Sequence, residues 1–250
     1  MSVLQELRPV YIISNENQRW ETSAVPNVKS VLTVAASGDQ ALFYRLSGAT
    51  MIDTFDIAYN AGIIQDVKRA AIKTIELPEY RELLLQLHNA DDVMSVPNMK
   101  KLEPLLTQES REIIKRHQTY KMFGYGCSIR AYPYNIPTDQ EYQKLRTLLD
   151  KPFPFVQSEL KYLHKKLTKS YDAINLSNIL ETGCYTATES IRILTELTEH
   201  LNIGGHIVCP AMDDSIPYER IHIKTDTTEL VHTHRLTYQN EILHLMQRVR

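Results

Sequence analysis

A short turn and a single acid could together hold a nucleoside in this chain. The turn, residues 35–39 in "AASGDQ", follows the apolar run "VKSVLTVAA" and has small side chains that let a ligand approach the backbone closely. Where a strand leads through such a turn into a helix, free backbone N–H groups converge and suit an anionic or polar cofactor group. About twenty residues later Asp56 ends a second apolar run, where a carboxylate can bind ribose hydroxyls. The turn residues assigned to this site are Ala35, Ala36, Ser37, Gly38 and Asp39.

The glycine content of the turn bears on the type of ligand. A full dinucleotide-binding fingerprint, G-x-G-x-x-G, has two glycines more than this turn, so a mononucleoside is favoured over a dinucleotide. The competing interpretation is structural. In that case Asp56 caps the end of a strand, and the turn is a plain connection.

These residues need a strand–helix–strand unit to bring them together, and the flanking sequence predicts one. Residues 28–36 form a β-branched, apolar run typical of a strand buried on both faces. Residues 38–49 have helical spacing of their apolar side chains. Residues 51–57 then predict a second strand, and residues 61–77 predict an amphipathic helix that is stopped by Pro78.

The same alternation returns near the C-terminus. "YDAINLSNIL" predicts a strand and a polar turn, "TATESIRILTELTEHL" a helix, and "NIGGHIVCPAMDD" a Gly-Gly turn that leads into another strand. The helix should bury one stripe, formed by Ile191, Leu194, Leu197 and Leu201. The tail alternates around "TDTT" and predicts a hairpin. Strands that alternate with helices predict an α/β fold with a mostly parallel sheet and an antiparallel finish.

Residues 78–150 do not follow this alternation. They are helix-rich at first and then aromatic, in "GYGCSIRAYPYNIP", and no Gly/Ser-rich linker bounds them. We therefore expect one domain over residues 1–250, with a helical insertion at about 78–150 that forms a lid or a substrate-side cap. Its aromatic part could close over a cofactor pocket, with Tyr125 offering a hydroxyl to an acceptor, or could simply pack the insertion onto the sheet. The aromatic residues are Tyr120, Phe123, Tyr125, Tyr132 and Tyr134.

Composition narrows the classes of function. The formal net charge of −2 argues against a mainly electrostatic nucleic-acid binder. No apolar run approaches the roughly eighteen residues of a membrane helix, and the charged N-terminal sequence is unlike a secretory signal. The three cysteines are far apart, which predicts no disulfide framework or zinc site and fits the reducing cytosol. His232 and His234 would share one face of a strand, but nothing nearby completes a site, so no metal is expected.

Three stretches of the chain resemble one family of enzymes. The first is "SVLTVAASGDQALFYRLSGATMIDTFDIAYNAGIIQDVKRAAI", and "YDAINLSNILE" and "LNIGGHIV" follow far downstream. Together they resemble the class I S-adenosylmethionine-dependent transferases. More narrowly, "SGDQAL", the "FDI" before a helix with "VKRAAI", and "INLSNI" resemble the S-adenosylmethionine:diacylglycerol 3-amino-3-carboxypropyl transferases of betaine-lipid synthesis. The resembling parts are residues 28–76 and 153–211.

The resemblance implies a Rossmann-like class I methyltransferase fold and S-adenosylmethionine as the cofactor. It implies that residues 35–39 lie against the methionyl part and the ribose of that cofactor, although Ala35 and Ser37 stand where the family usually has glycine. It further implies that Asp56 takes the ribose hydroxyls and that Ile57 lies beside the adenine.

The downstream residues complete the implied site. Ser158 and Glu159 would lie at the adenine edge, and Ser177 and Asn178 would face the sulfonium and the substrate. Tyr125 and Asn178 are then the candidate catalytic residues. The expected enzyme is a cytoplasmic transferase that moves a methyl or a 3-amino-3-carboxypropyl group to a small-molecule or lipid acceptor, without a nucleic-acid partner.

Two functions of other classes remain open at the level of the sequence. One is a module that binds S-adenosylmethionine or a nucleoside without turning it over. The other is a nucleotide-dependent enzyme of another kind, such as a dinucleotide oxidoreductase, against which the single glycine of "AASGDQ" speaks.

Overall fold

A single sheet runs through the part of the chain that the structure describes. The computed structural model describes residues 10–117, 122–123, 133–181, 183–211, 218–238 and 241–250. Within these ranges the strands are β1 (Ser30–Val34), β2 (Met51–Asp56), β3 (Phe155–Gln157), β4 (Tyr171–Asn175), β5 (Leu201–Ala211), β6 (His222–Lys224), β7 (Glu229–Tyr238) and β8 (Glu241–Arg248). They lie side by side in the order β3-β2-β1-β4-β5-β8-β7-β6.

Strands β1 to β5 are parallel, as the alternating sequence predicts. β1 lies between β2 and β4, so that Val31 pairs with Ile52 on one side and with Ala173 on the other. The strand order therefore reverses beside β1, and the carboxyl ends of β1 and β4 flank a topological switch point. Open α/β sheets bind their ligands in the crevice at such a point.

Helices cover both faces of this sheet. The helices are α1 (Gln18–Ala24), α2 (Asp39–Leu46), α3 (Tyr59–Thr74), α4 (Leu77–Asn89), α5 (Met99–Leu102), α6 (Gln108–Arg116), α7 (Asp139–Leu148), α8 (Leu160–Leu163) and α9 (Ala187–Thr198). Apolar side chains of α2 and α3 are buried on one face, and those of α8 and α9 are buried on the other. The predicted α/β fold with a mostly parallel sheet is confirmed.

The C-terminal strands are antiparallel, which is also as predicted. β8 pairs with β5 and with β7, and β7 pairs with β6 in the hairpin expected around "TDTT". The register of β7 against β8 shifts between His232 and His234. The regular alternation that would place both histidines on one face is therefore interrupted there.

Two details of the C-terminal half differ from the prediction. Leu194 and Leu197 of α9 are buried, but Ile191 is 48% exposed and Ile193 is buried in its place, because the helix turns a neighbouring stripe toward the sheet. The Gly-Gly pair does not precede β5 but lies inside it. A Cβ on Gly205 would come within 3.0 Å of three backbone oxygens, so no side chain fits where β5 shifts register against β4.

The helices between residues 77 and 148 form an outer layer. α4, α5 and α7 all contact α3. Pro78 does not stop α3, which ends at Thr74; it lies in the first turn of α4, where a missing N–H costs nothing. A role for residues 78–150 as a lid or a cap stays a prediction.

A buried ion pair joins the turn after β1 to α3. Lys68 Nζ lies 2.5 Å from Asp39 Oδ1, and both side chains are almost fully buried. Asp39 Oδ2 accepts hydrogen bonds from the Ser14 N–H and the Ser37 hydroxyl, each at 2.8 Å. Burial lowers the pKa of Lys68, and the charge of Asp39 opposes that shift. The pair therefore holds three separate segments together.

Lys68→Met should leave the Asp39 carboxylate buried without its counter-ion. We expect the free energy of unfolding to fall by about 3–5 kcal/mol, as when one partner of a buried pair is removed. Urea unfolding at neutral pH measures this.

The exposed pair of Lys101 and Glu79 provides the control, because Lys101→Met should change the unfolding free energy little. The double variant Asp39→Asn/Lys68→Met should recover part of the loss. Equal effects of the two lysine variants would contradict a special role for Lys68.

Candidate functional site

A cavity of about 410 Å³ opens at the switch point of the sheet. This volume lies in the range typical of pockets for small ligands. The carboxyl ends of β1 and β2 and the segments after β3 and β4 supply most of its wall. Of the residues assigned from the sequence, the cavity is lined by Ala36, Asp56, Ile57, Ser158, Glu159, Ser177 and Asn178.

Asp56 is held in a fixed orientation at the end of β2. Its Oδ2 accepts a hydrogen bond from the Ala36 N–H at 3.0 Å, and its Oδ1 accepts one from the Ala58 N–H at 2.9 Å. Ala36 has φ +40, a left-handed conformation that is uncommon for a residue with a side chain. The turn after β1 and the acid after β2 are thus directly bonded, as a shared ligand site requires.

Only one of the five turn residues lines the cavity. Ala35 continues β1, and its N–H donates to the Phe55 carbonyl at 2.7 Å. Ser37 and Asp39 are turned toward Ser14 and Lys68 by the buried network. Gly38 has φ +86, and a Cβ there would lie 3.0 Å from Gln65 Cγ of α3. The backbone conformation and the contact with α3 therefore both favour glycine. Of residues 35–39, the structure places only Ala36 in the cavity wall, and a contact of Ala35, Ser37, Gly38 or Asp39 with a ligand stays a prediction.

The segment after β3 forms the wall beyond Asp56. The Ser158 N–H donates to the Asp56 carbonyl at 2.8 Å, which brings Ser158 and Glu159 next to Ile57. Leu160 and Tyr185 add apolar surface to this part of the cavity. A planar, partly polar ring is the type of group that such a wall can hold.

The turn after β4 forms the opposite wall. Ser177 has φ +53, and its N–H donates to Asn175 Oδ1 at 2.8 Å. Asn178 follows it into the cavity lining. Ala36 and Ser177 are thus strained residues on two sides of one cavity, and such strain is concentrated at functional sites.

The N-terminal segment supplies a part of the site that the sequence did not reveal. Val10, Tyr11, Ser14 and Asn15 line the cavity, as does Gln40 of α2. Gln40 directly follows the assigned turn, so its position was a usable signal. The polar run "SNEN" had no such signal, because polar residues before a helix are ordinarily solvated.

Glu16 lies directly behind the β4 wall and is only 3% exposed. Its Oε1 accepts hydrogen bonds from the Ser177 hydroxyl at 2.6 Å and from the Asn178 N–H at 3.0 Å. Burial raises the pKa of Glu16 to about 7, with a further contribution from the charge of Glu241. The carboxyl therefore changes its charge near neutral pH.

A second buried acid continues this network below the sheet edge. Glu21 Oε2 accepts a hydrogen bond from Asn175 Nδ2 at 2.8 Å, and the same amide donates to the Tyr44 hydroxyl at 3.2 Å. Burial and then the charge of Glu16 hold the pKa of Glu21 well above its ordinary value. Asn175 therefore links the base of the turn at Ser177 to α1 and α2.

Most of the aromatic stretch lies outside the described residues, including Tyr120, Tyr125 and Tyr132. Phe123 is fully buried, and its backbone forms an isolated parallel β-bridge with Val10, a residue of the cavity wall. The Tyr134 carbonyl accepts a hydrogen bond from Arg19 Nε at 2.9 Å. The described part of this stretch is thus connected to Val10 and to Arg19 of α1.

Within the described residues, no group of three or more His, Cys, Asp or Glu side chains is arranged to hold a metal ion. His232 Nε2 lies 3.3 Å from His244 Nδ1, and His222 Nε2 lies 2.8 Å from Glu229 Oε1. In the same part of the chain, no helix combines the length and apolarity needed to cross a bilayer.

Comparison with known proteins gives similarities at the level of solved structures. No protein-family model and no curated protein matches the sequence. An rRNA methyltransferase, aviRa, from Streptomyces viridochromogenes is 12% identical, with 93% of this chain and 82% of that chain covered and a TM-score of 0.45. An rRNA methylase from Streptococcus thermophilus is 10% identical, with 93% and 94% covered and a TM-score of 0.40.

A third similar structure is the N-methyltransferase NodS from Bradyrhizobium japonicum, in complex with S-adenosyl-l-homocysteine. It is 8% identical, with 92% of this chain and 83% of that chain covered and a TM-score of 0.41. At these identities the likeness concerns the fold alone.

The raised pKa of Glu16 predicts how stability depends on pH. The folded protein keeps a proton on Glu16 up to about pH 7, whereas the unfolded chain loses it near the ordinary value of 4.5. The folded state therefore binds more protons between these values, and stability falls as the pH rises through this window. Gln at this position cannot ionise. The free energy of unfolding of Glu16→Gln, relative to that of the wild type, should therefore rise by on the order of 3 kcal/mol between pH 4.5 and pH 8.

Urea unfolding at pH 4.5 and pH 8 gives this difference. Glu82→Gln is the matched control, because Glu82 is exposed and its bond to Gln86 survives the change. A stability difference between Glu16→Gln and wild type that does not vary with pH would contradict the assignment of a neutral, buried carboxyl.

Proposed function

We propose that this protein is an S-adenosylmethionine-dependent transferase. The observation that carries the proposal is the bonded pair of Ala36 and Asp56 at the switch point, with the strained Ser177 across the cavity. An acid at the end of the second strand is suited to the two hydroxyls of a ribose. The turn after β1 has too few glycines to favour a pyrophosphate. The volume of the cavity suits one nucleoside with a short side chain.

The donor chemistry of the cavity fits this cofactor. Asp56 would accept hydrogen bonds from the ribose hydroxyls, and Ile57 would pack on the adenine. Ser158 and Glu159 offer polar groups for the adenine edge. Ser177 and Asn178 lie on the opposite wall, where they would face the sulfonium and the acceptor.

S-adenosylmethionine supplies an electrophilic carbon on a positively charged sulfur. The protein needs only to bind the two reactants in line, exclude water and accept charge, because the reactivity belongs to the cofactor. Asn178 would orient the acceptor, and Tyr125, outside the described residues, stays a candidate for the same task. The group that moves is a methyl or a 3-amino-3-carboxypropyl group, and the resemblance of "SGDQAL" and "INLSNI" favours the latter.

The acceptor we propose is a small molecule or a lipid, and the proposed location is the cytoplasm. The formal net charge of −2 does not favour a nucleic-acid acceptor. Phe123 and Val10 join the aromatic stretch to the cavity wall, which supports a cap formed by part of residues 78–150. A non-catalytic module that binds the nucleoside is the alternative function, and it would bind the cofactor without consuming it.

Ligand-induced stabilisation tests the proposal directly. At about one hundred times the dissociation constant, a ligand stabilises by about 2.7 kcal/mol, which is a rise in Tm of roughly 5 to 10 °C for a chain of this size. We expect S-adenosylmethionine and S-adenosylhomocysteine to raise the Tm and NAD to leave it unchanged. A shift with NAD alone would indicate an oxidoreductase instead.

Asp56→Asn should abolish most of the rise in Tm that S-adenosylmethionine causes, while the protein stays folded. The amide oxygen can replace only one of the two carboxylate oxygens that accept from the Ala36 and Ala58 N–H groups, and the amide nitrogen cannot accept a hydrogen bond from a ribose hydroxyl. Asp150→Ala, at a side chain that is 79% exposed, is the control and should bind normally. Unchanged affinity in Asp56→Asn would overturn the assignment of the ribose site.

Cys184 reports on occupancy of the same cavity. It is exposed and lines the cavity beside Tyr185, whereas Cys209 is buried. Bound S-adenosylhomocysteine should slow alkylation of Cys184 by iodoacetamide, measured by mass spectrometry of the peptide that contains it. Asp56→Asn at the same ligand concentration should show no protection, and protection that persists in that variant would place the ligand elsewhere.

A further inference from the structure

Glu16 is a buried acid that the proposed transfer reaction does not use, yet it contacts the cavity wall. Its Oε1 is bonded to Ser177 and Asn178, which both line the cavity. Its Oε2 is buried and makes no hydrogen bond to the described residues, although the Gln40 side chain lies close enough to favour the charged form. A carboxyl with an unsatisfied oxygen behind a ligand wall is placed to respond to the charge of the ligand.

Burial and neighbouring acids make the Glu16 carboxyl costly to ionise. Burial is the largest cause, and the neighbouring acids add to it, because they are of like charge. The titratable groups that interact with it are Glu21 of α1, Glu241 of β8 and Cys209 of β5. A positive charge bound in the cavity would stabilise the ionised Glu16 carboxylate, which these neighbours do not.

We propose that Glu16 is the residue by which this site distinguishes S-adenosylmethionine, a sulfonium, from S-adenosylhomocysteine, the uncharged thioether that lacks its methyl group. This role rests on the proposed function, and in it Glu16 is a positioning residue that acts through Ser177. The Glu16 carboxyl releases its proton to solvent when the sulfonium binds beside Ser177. It takes up a proton when the thioether replaces the sulfonium, so the charge inside the wall is balanced in both complexes.

The physical reason is the interaction of opposite charges in a site of low polarity. An ionised carboxyl is stabilised by a nearby cation and destabilised by burial alone. S-adenosylmethionine and S-adenosylhomocysteine differ at the sulfur by one methyl group and one positive charge. The wild-type protein should therefore couple protonation to the first ligand and not to the second.

Proton release on binding is the measurement that tests this. We would titrate wild-type protein with each ligand at pH 6.5 by calorimetry, in phosphate and in imidazole, whose ionisation enthalpies differ. For a group that titrates near pH 7, S-adenosylmethionine should release about 0.8 proton and S-adenosylhomocysteine close to none. The preference for S-adenosylmethionine should rise on the order of 20-fold between pH 5.5 and pH 7.5.

Glu16→Gln keeps the shape and an oxygen for Ser177 and Asn178 but cannot ionise. It should bind both ligands with no difference in proton release, and its preference should not vary with pH. A general loss of structure would weaken both ligands equally, which this comparison detects. Ser177→Ala is a second variant, which should reduce the difference between the ligands while Glu16 remains present.

The outcomes separate the two proposals. If wild-type protein binds neither ligand, the proposed function fails, and the role of Glu16 fails with it. If both ligands bind but release equal numbers of protons, or if Glu16→Gln keeps the pH-dependent preference, the role of Glu16 is overturned and the proposed function stands.

Discussion

The parallel pairing of β1 with both β2 and β4 is the constraint on which the rest of the structure depends. Parallel strands point their carboxyl ends to one edge, so the residues that follow them meet there. Asp56 is the last residue of β2, Ala36 follows β1 and Ser177 follows β4, and the register of the strands sets the distances between them. The Ala36 N–H reaches Asp56 only because β1 and β2 end level with each other.

A second constraint is the polar layer under that edge, which the N-terminal segment builds. The Ser14 N–H bonds to Asp39, and Glu16 accepts from the turn at Ser177. Asn135 Nδ2 donates to the carbonyls of Ser14 and Glu16 at 2.8 and 2.7 Å, which fixes the path of this segment. Buried polar groups of this kind are stable only when nearly all are paired. Oε2 of Glu16 is one of the buried side-chain atoms of this layer that lack a hydrogen-bond partner among the described residues, together with Oε1 of Gln18 and of Gln40.

Strain and buried charge occur in the same place in this protein. Ala36 and Ser177 have positive φ, and Glu16 and Glu21 are acids with raised pKa, all within the walls of the cavity or directly behind them. Each feature lowers stability and is kept in place by the surrounding core. Their concentration at the switch point is typical of a site that binds and transforms a ligand. The ion pair of Asp39 and Lys68, in contrast, ties segments together and is not part of the cavity lining.

The sequence by itself determined the α/β class, the parallel β1–α2–β2 unit and the antiparallel hairpin, because these follow from local periodicity and turn residues. It also indicated Asp56, since the end of a strand is a local property. Only the tertiary structure decided that Ala36 alone of the turn lines the cavity, because the packing of Lys68 and Gln65 turns the other residues away. The stripe of α9 and the position of Pro78 likewise depend on what each helix packs against. Glu16 could not be found from sequence, since its burial arises from contacts with residues more than one hundred positions away.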